Sequence, residues 1–170
     1  MNQKIINLSI VFVFIFSLSM NAQNKKQKKM AGYLITNYEV ECMGTGMDGT
    51  QLVKIWGYGN KPEKAVYQAK KNAVHAIMFK GILAGKPGCM QRPLINDPAA
   101  QEKNSEYFDL FFADGGRYLQ FVSETGDGTM DRIKISNKEY KVGVVVSVSH
   151  SALRTELETA GIIKKLGNGF

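Results

Sequence analysis

Apolar and polar residues alternate with a period of two over residues 34–42, where Leu34, Thr36, Tyr38, Val40 and Cys42 share one face and Ile35, Asn37, Glu39 and Glu41 the other. That period predicts a strand. Residues 44–50 (GTGMDGT) then supply glycines and an Asp-Gly turn, and residues 51–58 (QLVKIWGY) resume strand-forming types, so a β-hairpin is expected. The period next changes to that of a helix. Ala65, Ala69, Ala73, Ala76 and Ile77 form one stripe with Val66 beside it, and Lys64, Gln68, Lys71 and His75 form another. Asn60 as cap, Glu63 three residues on and Pro62 in the first turn set its start, and Gly81 follows its expected end near Phe79. The small alanines predict close approach to a sheet.

Residues 82–105 show little periodicity, contain Gly85, Pro87, Gly88, Pro93 and Pro98, and read as an extended loop. Loops of that length in a compact domain are often functional. In SEYFDLFFADGG (105–116), Tyr107, Phe108, Phe111 and Phe112 fit one broad face of a short helix ending at Gly115. This face suits core packing, or alternatively an aromatic anchor for a partner. Three strands are expected afterwards, over 118–122, 132–136 and 140–149, and the last places Val142, Val144, Val146 and Val148 on one face. A final helix capped by Ser151 carries Leu153, Leu157 and Ala160, with Arg154 and Glu158 at i,i+4, before Gly161 interrupts it. The order is ββα, loop, α, βββα. It predicts a single-domain α+β fold with an antiparallel or mixed sheet of about five strands and helices on one face. TGMDGTQLVKI (45–55) is faintly echoed by TGDGTMDRIKI (125–135), which similar hairpin turns explain as well as duplication does.

The amino-terminal residues lie outside this pattern. Lys4 precedes a 13-residue apolar run, LSIVFVFIFSLSM (8–20), in the order of a secretory signal, with cleavage expected after Ala22. The run is shorter than the roughly 20 residues a spanning helix needs. Lys25, Lys26, Lys28 and Lys29 follow it and would favour the inverted, cytoplasmic orientation, but the brevity of the run favours export. The expected organisation is a signal peptide (1–22), a lysine-rich lead (23–31) and one envelope domain (32–170). Five of the 22 basic residues precede residue 31, leaving 17 against 15 acidic groups, so the formal charge of +7 falls to +2 for the domain. A basic binding face of the nucleic-acid type is therefore not expected. Cys42 and Cys89 suit an oxidising compartment, where they could form a disulfide joining a strand to the long loop.

Motifs for chemistry are scarce. His75, on the polar helix stripe, reads as a solvated surface group whose protonation a neighbouring ammonium disfavours. His150, between Ser149 and Ser151, reads as a cap-region residue, because adjacent strand residues point to opposite faces. The chain has no CxxC, HxxxH or HExxH for zinc. DGTMD (127–131) lacks the alternating ligands and closing glutamate of an EF-hand, and GYGNKP (57–62) fits neither GxGxxG nor GxxxxGK[ST]. Glu39 and Glu41 share a strand face about 7 Å apart, but exposure there would not raise either pKa. Neither a catalytic residue nor a cofactor is expected.

The segment IWGYGNKPEKAVYQAKKNAVHAI (55–77), a strand ending in glycine followed by a helix with Ala65, Ala69 and Ala73, resembles a pattern in small LPP-type outer-membrane lipoproteins and in the amino-terminal domain of flagellar assembly protein T. The likeness covers about 25 residues. It implies a noncatalytic envelope domain that packs against other envelope components, though this chain lacks the lipidated cysteine of the lipoprotein members. The expected function is a periplasmic or peripherally outer-membrane-associated accessory protein that binds another envelope protein. Candidate contact residues are Trp56, Tyr58, Arg92, Phe108, Phe111 and Phe112. A secreted binder of glycan, lipid or a small ligand is the alternative, and a secreted hydrolase of unrecognised type a more distant one.

Overall fold

The computed structural model describes residues 38–89, 92–125 and 130–167, all within a compact unit spanning residues 35–170. The signal peptide and the lysine-rich lead lie outside the described residues, as does most of DGTMD. The fold is α+β. The strands β1 (Val40–Thr45), β2 (Thr50–Gly59), β3 (Val122–Glu124), β4 (Asp131–Ser136) and β5 (Glu139–Ser149) form one five-stranded sheet, with helices α1 (Pro62–His75), α2 (Ala100–Lys103), α3 (Ser105–Phe111) and α4 (His150–Thr159). The sheet order is β1-β2-β5-β3, with β4 also paired to β5, and every strand pair is antiparallel.

The valine row makes β5 the central strand. Val53 opposite Val146 and Ile55 opposite Val144 place their side chains on one face, where all four are buried. Helix α1 lies across that face at Gly57 and Gly59. A Cβ on Gly57 would overlap Ala65 O and stand 2.5 Å from Ala69 N, and one on Gly59 would stand 2.6 Å from Ala65 N. Glycine on the strand and alanine on the helix together set this spacing, and Ala65, Ala69 and Ala73 are fully buried. The Asn72 amide Nδ2 donates to Trp56 O at 2.9 Å and ties helix to strand.

Several boundaries differ from the sequence expectation. Residues 34–37 of the first expected strand lie outside the described residues; β1 starts at Val40 and runs on to Thr45, with a register shift between Cys42 and Gly44. Lys61, not Asn60, occupies the cap position of α1, with no side-chain cap bond. Helix α1 is continued to its expected stop at Gly81, whose φ is 77°, but its last turn, Ala76–Lys80, is π-helical. The strand expected over 118–122 is instead a 3-10 turn, Arg117–Phe121, followed by β3. A three-residue turn places Tyr118 and Phe121 on the same side, and both are buried. Part of the long loop forms α2. Helix α4 starts at His150 rather than after a Ser151 cap, and the expected Arg154–Glu158 pair forms at 2.9 Å.

Candidate functional site

Among the described residues, helices cover only one face of the sheet. The other face carries Leu52, Lys54, Trp56 and Tyr58 of β2, Lys141 and Val145 of β5, Glu39 and Glu41 leading into and on β1, and Asp131 and Ile133 of β4. All of these are half-buried or exposed. Alternation along β2 produces this split, since Gln51, Val53, Ile55 and Gly57 point to the helices and the intervening residues point away.

Trp56, the sole tryptophan, is the centre of this face. Its cross-strand partner is Gly143, and a Cβ there would stand 2.9 Å from Cζ3 and 3.0 Å from both Cε3 and Cη2. Such nearly equal separations arise only when the face of the ring, rather than its edge, lies over Gly143. The indole is therefore spread on the sheet. Lys141 Nζ is 4.6 Å and Lys54 Nζ 5.5 Å from ring centroids of Trp56, within cation–π range. Both ammoniums are anchored, Lys54 to Asp131 at 2.6 Å and Lys141 to Glu39 at 3.3 Å. The hydrogen bond to Asp131 raises the pKa of Lys54. At Lys141 desolvation pulls downward, but the bond to Glu39 and the influence of Tyr58 outweigh it, so the shift is again upward. Tyr58 is also within 5.8 Å of Lys141 Nζ. The result is a flat aromatic patch in a frame of fixed charges.

Trp56 and Tyr58 thus lie together on the open face, and Arg92 is exposed on the loop after Cys89. Phe108, Phe111 and Phe112 do not join them, being 2%, 1% and 1% exposed. These three pack against Phe79, Tyr107, Tyr118 and Phe121. The broad aromatic stripe of α3 belongs to the core, so the partner-anchor alternative for it is corrected. The stripe covers the side of α1 turned away from the sheet.

That same cover buries His75, which is 7% exposed instead of solvated. Tyr38 OH and His75 Nδ1 share a hydrogen bond of 2.7 Å, and the imidazole packs against Phe79 and Phe112. Desolvation lowers its pKa to about 4, with a bond to Gln101 opposing and the charge of Lys80 assisting. The downward direction agrees with the sequence reading; the main cause is burial, and the assisting cation is Lys80. Lys71, on the same stripe, is buried too: its Nζ is 3.5 Å from Asp114 and 5.5 Å from the Tyr118 ring centroid, and desolvation lowers its pKa. A second layer over a helix shows in sequence only as polar residues adjoining an aromatic-rich segment. His150, the first residue of α4, is half-buried, and desolvation with the Arg154 charge lowers its pKa.

Cys42 and Cys89 are joined as a disulfide, with Cα atoms 5.7 Å apart, and both are buried. Such a bridge fits an oxidising, extracytoplasmic compartment. Among the described residues no helix is long and apolar enough to cross a membrane, and no group of three or more His, Cys, Asp or Glu side chains could hold a metal ion. The chain matches no family model, no curated protein and no solved structure.

Proposed function

We propose that this protein is an exported, noncatalytic accessory module of the cell envelope, which acts by binding another envelope protein through the open face of its sheet. The observation that carries the reading is the seat of Trp56. A large aromatic held flat on a glycine, with Tyr58 two residues away and charges fixed around it, combines a rigid apolar centre with a polar rim, the anatomy of a protein-binding surface. The resemblance of residues 55–77 to envelope domains, the export signal expected over residues 1–22 and the buried disulfide support the same compartment.

The test is affinity capture from detergent-solubilised envelopes with the wild-type chain and with a Trp56→Ala/Tyr58→Ala variant of unchanged circular dichroism. One stoichiometric membrane-protein partner, lost with the variant, is expected. Equal capture by both proteins, or a wild-type chain that remains a lone monomer, would overturn the reading. Export is tested by amino-terminal sequencing of the mature protein, which should begin at Gln23.

A further inference from the structure

Strand β1 forms an edge of the sheet, and an edge strand directs alternate backbone N–H and C=O groups away from its neighbour. Here Trp56 N–H donates to Glu39 O at 3.3 Å, and Glu41 is opposite Lys54. Val40 and Cys42 therefore direct their backbone groups outward. Those of Cys42 are occupied: its N–H donates to Ala84 O at 2.8 Å and its C=O accepts from Lys86 N–H at 2.9 Å, in a parallel bridge centred on Gly85. On the other side, Lys80 Nζ donates to Tyr38 O at 2.8 Å. Between these two closures, nothing among the described residues pairs with the outward groups of Val40. They adjoin a groove of about 410 Å³ walled by Tyr38, Glu41, Lys80 and Leu83, and Leu83 is 73% exposed.

We propose that this stretch of β1 receives an extended segment of a partner protein that carries Lys or Arg at alternate positions. The backbone of such a segment would complete the ladder at Val40 as an added strand. Its basic side chains would meet Glu39 and Glu41, which project two residues apart from one face, and its intervening apolar side chains would meet the groove. The acidic pair also argues against a second copy of this chain. Antiparallel pairing about Val40 would set Glu39 against Glu41 on both sides of the axis, and like charges directly opposite are destabilising. The site adjoins the Trp56 patch and shares Glu39 with it through the Lys141 ion pair, but the backbone ladder at Val40 does not involve the indole, so either can fail alone.

The test uses a short synthetic peptide alternating lysine and valine, an alternating glutamate and valine control, and backbone amide exchange of the purified chain. Binding of the basic peptide should slow exchange at Val40 by about tenfold or more and should survive Trp56→Ala. Val40→Pro removes an outward N–H, which an edge strand tolerates, together with a core side chain that is 9% exposed, and Glu41→Lys reverses one charge. Each should weaken binding by about tenfold or more. Absence of protection at Val40 at saturating basic peptide, equal binding of the acidic peptide, or unchanged affinity in Glu41→Lys would each overturn the proposal. A concentration-dependent dimer lost in Val40→Pro would overturn it in favour of self-pairing. If Val40→Pro loses its fold by circular dichroism, Glu41→Lys and wild-type exchange still decide.

Discussion

Replacing Gly57 by alanine tests the contact on which the sheet-helix layer is built. The added methyl would overlap Ala65 O and stand 2.5 Å from Ala69 N and 2.9 Å from Ala69 Cα. All three obstacles are backbone atoms of α1, so no rotamer change relieves them. Ordinary contact begins at 3.4 Å, and the helix must therefore retreat by roughly 1 Å. That movement would loosen the packing of Ala65, Ala69 and Ala73 and stretch the 2.9 Å bond from Asn72 to Trp56 O. Overpacking a core commonly costs about 1–3 kcal/mol, and the rigidity of the obstacle places this case at about 2–3 kcal/mol. Urea unfolding followed by the fluorescence of Trp56 measures it, and the melting temperature should fall by roughly 6–12 °C. Gly167→Ala, where an added Cβ meets nothing within 4 Å, is the control and should be within about 0.5 kcal/mol of wild type. A Gly57→Ala protein as stable as that control would refute the close-packed arrangement of α1 on β2.

Three further outcomes are expected. His75 titrates near 6.5 when unfolded and at about 4 in the fold, so the unfolded chain binds more protons between those values. Stability should be complete above pH 6.5 and fall toward pH 4, by roughly 3 kcal/mol more than in His75→Gln; parallel pH profiles in urea would contradict this. Replacing both Cys42 and Cys89 by serine opens a loop with a sequence separation of 47 residues, which should cost about 2–4 kcal/mol in reversible unfolding, while thiol titration of the denatured wild type should find no free cysteine. Phe111→Ala, at a position 1% exposed, should lower stability by about 3–5 kcal/mol. A stable Phe111→Ala variant defective only in partner capture would return that residue to the interface.

What the sequence determined by itself is largely local. Val142, Val144, Val146 and Val148 at a period of two specify a strand with one buried face, and Ala65, Ala69 and Ala73 specify a helix able to lie close to glycines. These patterns need only short-range geometry, and they were enough for the α+β class and the helices on one face. Tertiary structure decided what depends on a second layer. His75 and Lys71 look like a solvent stripe until α3 and the 3-10 turn cover them, Phe112 packing on His75 and Tyr118 lying beside Lys71. Tyr118 and Phe121 lie in a 3-10 turn, whose three-residue period lets both reach one core and overrides their strand propensity. The strand order, the seat of Trp56 on Gly143 and the free edge at Val40 come from pairings between residues distant in sequence. A periodicity fixes which face a side chain takes, but not what will be placed against it.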